Sequence, residues 1–319
     1  MQMLTEKNIK KIILENYFDY QYLFLAFQSK LLSGMYSRYQ SLENGNLVLY
    51  FEKKAHQDIL GQKNYDLNFN ISYEKFWENH SVINPKQRSL VKIATEINLP
   101  KETVRRKILE LTEQKILSKK NKNTGWLPNE QYKKDYNLFV QEEIEDVSRI
   151  IFFVCKKLNH PISRDHLTKE LKEKFSFYWF HYLGVQLKYL RAWNKQFNDL
   201  ELILIFLQVS NLFMSKAKEK NLSHKNLYNN PNLIKNFETL SIGATSISEI
   251  TKIPRATCVR KLEILIKLKL ISQDKISKRY YIIPDAISES LVSTELNKLV
   301  VILFSKFFFI CIKAVNVKV

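Results

Sequence analysis

The chain has 319 residues, room for two domains of about 100–200 residues each, and its 45% hydrophobic content excludes a disordered or fibrous polymer. Fifty Lys and Arg against 32 Asp and Glu leave a net charge of +18, which predicts a polyanionic partner such as nucleic acid or anionic lipid. Only six Gly are present and no Gly-x-Gly-x-x-Gly, Gly-x-x-x-x-Gly-Lys-Ser/Thr or Gly-x-Ser-x-Gly pattern occurs, which argues against the common nucleotide-dependent enzymes.

In chain order, the start around Glu6, Lys7, Lys10 and Lys11 is amphipathic and lacks a signal-peptide apolar core. A long apolar-rich helix is predicted over Tyr17 to Tyr39. Leu42 to Gln87 reads as an insertion, in which Asn44-Gly45-Asn46 and Leu47-Val48-Leu49-Tyr50-Phe51 predict a turn and a short strand. A basic segment follows at 88–131, then a helix over Tyr136 to Leu158, a bridging helical region over Pro161 to Gln196, and a helix over Asp199 to Lys218. The Asn-rich residues 221–236 read as a loop, a second basic segment covers 240–285, and a last helix runs over Ser288 to Lys313. The apolar runs Leu202 to Met214 and Leu299 to Ile312 fall short of the roughly 20 apolar residues a membrane span needs, so buried helices and no membrane association are expected. Cys155, Cys258 and Cys311 form no Cys-x-x-Cys pair, which fits a reducing, cytoplasmic compartment.

The two basic segments are copies of each other. Ile93 to Ser118 and Ile247 to Ser272 align without a gap at an offset of 154, with eight of 26 positions identical, among them Pro100/Pro254, Thr103/Thr257, Arg106/Arg260 and Lys107/Lys261. Each copy reads as a short helix, a turn ending in Leu-Pro or Ile-Pro, and a second helix, because proline is tolerated where a helix begins. On the second helix Val104, Ile108 and Leu111, like Cys258, Leu262 and Leu265, fall on one stripe at helical spacing, the core face. Opposite it, Thr103, Arg106 and Lys107 repeat as Thr257, Arg260 and Lys261, a hydroxyl, a guanidinium fork and an ammonium suited to DNA backbone and base edges. Ile116-Leu117 and Trp126-Leu127-Pro128 bracket Lys119, Lys120 and Lys122, and Leu270-Ile271 and Tyr280 to Pro284 bracket Lys275, Lys278 and Arg279. Both predict β-hairpins with charged tips, or wings.

These segments resemble the winged helix-turn-helix domains of bacterial transcription regulators, most closely the DNA-binding heads of IclR-type proteins. The resemblance covers about residues 88–131 and 240–285, and the chain departs from the family in carrying two heads and no recognisable effector domain. It implies a mainly α fold with small β-hairpin wings, with two winged helix-turn-helix units in pseudo-symmetric helical halves. The halves would be 1–159 and 197–319, joined by the bridging residues 160–196. The resemblance also implies that the second helix of each head enters the major groove of double-stranded DNA. The contacts would fall on Lys101, Thr103, Arg105, Arg106, Lys107, Lys119, Lys120 and Lys122 in the first head. In the second they would fall on Arg255, Thr257, Arg260, Lys261, Lys275, Lys278 and Arg279.

Residues 88–131 hold ten Lys and Arg to five Asp and Glu, residues 247–285 nine to four, and together six of the ten Arg. This concentration favours DNA over a purely protein-binding role. A sequence-specific transcription regulator is therefore expected. Alternatives are a plasmid- or phage-type replication initiator, which also resembles two related winged helices in a basic chain, and a winged-helix scaffold subunit. Glu102 stands against Ala256 and Arg105 against Val259, so two different half-sites are expected. The apolar runs Ile150 to Val154 and Phe307 to Ile310 predict core or a homodimer surface, and the aromatic stretch Phe175 to Tyr182 predicts core, with the lining of a small-ligand pocket as the alternative. Cys155, His160 and His166 lack a fourth ligand, the remaining His are scattered, and Glu142, Glu143, Glu145 and Asp146 read as a solvated face. No metal, cofactor or catalytic residue is expected.

Overall fold

A computed structural model describes residues 4–122, 125–219, 241–283 and 295–315, without the side chains at 216 and 217. The protein is mainly helical, 75% of it, with two small antiparallel sheets. The expected loop at 221–236, the strand-closing Pro284 and the first turns of the helix expected from Ser288 lie outside the described residues.

Among the described residues ten α-helices precede the second basic segment: α1 (Glu6–Glu15), α2 (Tyr17–Tyr39), α3 (Leu42–Tyr65), α4 (Phe76–Val82), α5 (Leu90–Ile97), α6 (Lys101–Glu113), α7 (Lys133–Lys157), α8 (Arg164–Glu173), α9 (Phe175–Phe197) and α10 (Leu200–Glu219). Between α6 and α7, β1 (Leu117–Ser118) pairs antiparallel with β2 (Leu127–Pro128), Leu117 opposite Pro128. Then come α11 (Ala244–Thr251), α12 (Arg255–Lys267), the hairpin of β3 (Ile271–Gln273) and β4 (Tyr280–Ile282), and α13 (Glu295–Val315).

The duplication extends far beyond the two basic segments. α1 and α8 have 10 residues each and α2 and α9 have 23 each. Glu6 aligns with Arg164, Tyr17 with Phe175 and Leu42 with Leu200, a constant shift of 158. Across the heads the shift is 154: α5 and α11 have 8 residues, α6 and α12 have 13. Left-handed backbone recurs in register at Gln40 (φ 55°) and Asn198 (φ 51°), Asn98 (57°) and Lys252 (62°), and Lys115 (58°) and Lys269 (57°). This conformation is costly for a residue that bears a side chain, so its return at equivalent places means that the chain reversals require it whichever residue is present. Tyr20/Tyr178, Gln28/Gln186 and Leu32/Leu190 are identical across α2 and α9 and fully buried.

This register corrects the reading of residues 42–87. The counterpart of α10 is α3, which opens Leu42-Glu43 where α10 opens Leu200-Glu201, so the segment is matched in the second repeat and not inserted. Nor are Asn44 to Phe51 a turn and strand; they lie inside α3. Leu47, Val48, Leu49, Tyr50 and Phe51 are all buried, and a helix buried on every face carries the same continuous apolar run as a buried strand.

The chain forms two compact units, and they are not the sequential halves. One comprises 1–12, 43–195 and 303–319, the other 13–42 and 196–302. Each unit therefore joins the head and third helix of one repeat to the second helix of the other: head one and α3 with α9, head two and α10 with α2. In the second unit the buried Ser29 and Gln208 side chains hydrogen-bond at 3.0 Å, tying α2 to α10. Around them Phe24, Leu31, Leu32, Leu204, Ile205 and Val209 are buried, each stabilising the fold by roughly 1.5–3 kcal/mol. In the first unit α9 reaches its head through Asn194, whose amide donates to the Asn98 carbonyl at 2.8 Å. The runs Leu202 to Met214, Ile150 to Val154 and Phe307 to Ile310 lie on α10, α7 and α13 and are largely buried. No single described helix is long and apolar enough to cross a membrane.

Candidate nucleic-acid interface

Each head is assembled from local rules. In the first, the Ser89 hydroxyl accepts from the Lys92 amide at 3.3 Å and caps α5. Asn98 ends α5 in the left-handed region, and Leu99-Pro100 leads into α6. Ile93, Ile97, Val104, Ile108 and Leu111 are buried between the two helices, as the stripe predicts. The Asn129 amide donates to the Ile116 carbonyl at 2.7 Å, closing the hairpin behind β2. In the second head Gly243 precedes α11, Lys252 takes the left-handed turn, and Thr251 Oγ1 accepts from the Ile253 amide at 3.2 Å. The Arg279 guanidinium donates to the Ser241 carbonyl at 2.8 and 3.1 Å, anchoring the root of the second hairpin.

On α6, Lys101, Arg105 and Arg106 are exposed and Thr103 is half-buried. Arg105 pairs with Glu102 at 2.8 Å and Arg106 with Glu110 at 3.7 Å. On α12, Arg255 and Arg260 are exposed and Thr257 is half-buried. Arg255 donates to the Thr245 hydroxyl at 3.2 Å. At the hairpin tips Lys120, Lys122, Lys275 and Lys278 are exposed and Lys119 is half-buried, while Arg279, also exposed, sits immediately before β4 with its guanidinium engaged by Ser241. The Lys119 ammonium stands 3.9 Å from the centre of the Trp126 ring, and Lys120 donates to the Ser81 carbonyl.

Lys261 is a correction. It is 6% exposed, and its ammonium is held by Asp199 and, at 3.1 Å, by Glu201 at the start of α10. Lys107 takes the same place in the first head, paired with Glu43 at 3.8 Å and Glu110 at 3.3 Å, its side chain 12% exposed. The two lysines dock each second helix on its own third helix, and a buried ammonium needs such partners. Helical spacing could not separate them from the exposed face, because they border the core stripe on the side that α3 and α10 cover.

Comparison with known protein families, characterised proteins and solved structures finds no match. The site is therefore read from its own chemistry.

Two groupings had no local signal in the sequence. Beside the first hairpin a cavity of about 460 Å³ is lined by Lys54, Lys86, Arg88 and Trp126, which come from α3, the α4–α5 connection and the hairpin. In the core of the first unit the His56 ring lies tilted against Phe76, their centres 4.7 Å apart, and its Nε2 lies 3.3 Å from the Tyr136 hydroxyl. Burial pushes His56 down to about 3 and His80 to about 4, so both are neutral there. Burial likewise raises the Glu52 carboxyl, with Glu143 adding to the effect, well above the usual carboxylate range. All three cysteines are free and buried, and burial pushes Cys155 up to about 12. Among the described residues no three His, Cys, Asp or Glu gather as metal ligands.

Proposed function

We propose that the protein binds double-stranded DNA sequence-specifically through two winged helix-turn-helix heads and acts as a transcription regulator. What carries the reading is a contrast within each second helix. The repeated lysines, Lys107 and Lys261, are consumed in docking, while Arg105, Arg106, Arg255 and Arg260 stay on the open face beside a hairpin with a cationic tip. Guanidinium groups on the open face of a helix give bidentate contact to guanine, and wing ammonium groups supply phosphate contacts that position the helix. The two faces differ at Glu102/Ala256 and Arg105/Val259, so the heads read different half-sites.

The test is selection of binding sites from random duplex DNA, followed by titration of the selected site across salt concentrations. A composite site should emerge whose affinity falls steeply with salt as counterions are released from phosphates. Joint replacement of Arg106 and Arg260 by Ala should weaken that binding at least tenfold, on the order of 1–3 kcal/mol per base-reading Arg. Unchanged affinity in the double variant, or no enriched sequence, removes the assignment.

A further inference from the structure

The cavity beside the first hairpin is a built feature. The Gly125 amide donates to the Pro85 carbonyl at 2.8 Å, fastening the hairpin to the segment that carries Lys86 and Arg88. A Cβ at Gly125 would stand 2.8 Å from the Lys86 carbonyl oxygen, so any side chain there would push that wall away. Gly61, on α3, faces open space, with nothing within 4 Å of where its Cβ would be.

Three cations converge on this space. Lys54 and Arg88 share Glu96, at 3.5 and 4.0 Å, whereas Lys86 has no ion-pair partner among the described residues. Asp58 is the carboxylate in the wall; burial raises its pKa against the pull of Arg88, Lys54 and Lys86. Burial lowers the pKa of Lys54, and Glu96 offsets this only in part while Arg88 and Lys92 add to the lowering. Charge crowded in this way is relieved by an incoming anion.

The duplication supplies an internal control. In its register Lys54 corresponds to Leu212, Lys86 to Leu240 and Arg88 to Ile242, while Trp126 corresponds to Tyr280. Positions that hold the architecture, such as Glu43/Glu201 and Lys107/Lys261, are kept in both repeats. The three pocket cations are apolar in the second repeat, so the fold itself does not require them.

We propose that this cavity binds a nucleotide unit, its phosphate held by Lys86, Arg88 and Lys54 and its base lodged against Trp126, with Asp58 and Gln62 facing its polar edges. A cavity of about 460 Å³ exceeds what a lone phosphate fills and lies in the usual range for a small-molecule site. The same chemistry has two sources, a free mononucleotide or one nucleotide of a single strand. The site stands apart from duplex reading by the two heads, and its test contains no duplex.

The full chain is titrated calorimetrically with 5′-AMP, 5′-UMP, adenosine, inorganic phosphate and a short single-stranded oligonucleotide. A nucleotide or the oligonucleotide should bind at least tenfold more tightly than adenosine or phosphate alone. Binding of 5′-AMP or 5′-UMP assigns the free molecule, and binding of the oligonucleotide alone assigns the strand. Lys86→Ala with Arg88→Ala should weaken binding at least tenfold, and Trp126→Ala should weaken the nucleotide while leaving inorganic phosphate unaffected. Both variants keep Gly125 and the buried core, and thermal unfolding checks that they fold. Absence of binding at millimolar concentrations, or affinity unchanged by the Lys86/Arg88 double variant, overturns the proposal.

Discussion

The first head presents a charge-balanced helix and the second a basic one. On α6, Lys101, Arg105 and Arg106 share the surface with Glu102, Glu110 and Glu113, whereas α12 sets Arg255, Arg260 and Lys267 against Glu263 alone. The hairpins differ in the same sense. Lys119 and Lys120 are engaged with Trp126 and Ser81, while Lys275 and Lys278 are exposed on either side of Ile276, which is 90% exposed. Since caps, left-handed turns and the docking lysine are common to both heads, the duplication has kept what builds a head and released what it presents. On the proposed reading the second head is the stronger DNA binder, and the first carries the additional pocket.

The units that hold the heads differ most in acid. Every described His and all four Trp (Trp77, Trp126, Trp179 and Trp193) belong to the first unit. An unfolded chain takes up protons on His near pH 6.5, while folded His56 and His80 stay neutral down to about 3 and 4. Their contribution is therefore complete above about pH 6.5 and is lost as the pH falls toward those values. For His56 the loss amounts to on the order of 4 kcal/mol by pH 3. The raised Glu52 carboxyl acts in the opposite sense: its penalty shrinks as the pH falls from its raised value toward the ordinary carboxylate range near pH 4, so it offsets one of the two histidines in that window and the other leaves a net loss. Tryptophan emission, a reporter of the first unit alone, should shift red at a higher pH than the helical circular dichroism of the whole chain is lost. His56→Gln with His80→Gln should narrow that gap. Coincident transitions in the wild-type protein would break the comparison.

The next largest difference concerns DNA. Replacing Arg255 and Arg260 by Ala should cost on the order of a hundredfold in affinity for a selected duplex, and reduce the salt slope by about one for each phosphate no longer neutralised. The matching pair, Arg105→Ala with Arg106→Ala, should cost about tenfold or less, because Glu102 and Glu110 already hold those guanidinium groups. Fluorescence anisotropy on one duplex decides it: equal losses would make the two faces equivalent readers despite their carboxylates.

Stability separates the docking lysines by less. Lys261→Ala leaves Asp199 and Glu201 about one quarter exposed and without their cation, which should cost about 1–3 kcal/mol, discounted from a fully buried pair. Lys107→Ala, with partners 36% and 41% exposed, should cost under about 1 kcal/mol. Urea unfolding midpoints rank the two, and the reverse order would show that Lys107 carries a burden its exposure does not reveal.

Local features were legible in the sequence and long-range ones were not. Tyr17 and Tyr39 bound α2 as expected, and the bends at Pro100 and Pro254 and both hairpins fall where the turn residues place them. Two features escaped. The run Leu47 to Phe51 carries no period that tells a buried helix from a buried strand, so only its burial against other helices decides the form. The exchange of α2 and α9 between repeats depends on tertiary pairing such as Ser29 with Gln208, 179 residues apart, which no local pattern encodes. The same holds for the site: open-face Arg255 and Arg260 follow from helical spacing, whereas the cluster of Lys54, Lys86 and Arg88 exists only once α3 lies beside the hairpin.

The smallest expected effect concerns the second hairpin tip. Asp274 shapes it, its carboxylate accepting from the backbone amides of Ile276, at 3.1 Å, and Ser277. These bonds hold the Asp274 carboxyl below its usual range, so the tip keeps its form at neutral pH. The turn leaves the Ile276 side chain in solvent between two ammonium groups, an arrangement whose apolar exposure is unfavourable until the tip meets a surface. A branched apolar side chain flanked by cations fits a minor groove, where such groups wedge against base steps while the cations take the phosphates. Ile276→Ser should therefore weaken duplex binding by about two- to fivefold, equivalent to under about 1 kcal/mol, and reduce DNA bending measured by energy transfer between duplex ends. The salt slope should stay constant, since no cation is removed. The first hairpin has no apolar residue among Lys119, Lys120, Asn121 and Lys122, so Lys122→Ser should do the opposite, lowering the salt slope without changing the bend. If Ile276→Ser changes neither affinity nor bend, the second tip is a solvent turn, and its difference from the first hairpin lies in charge alone.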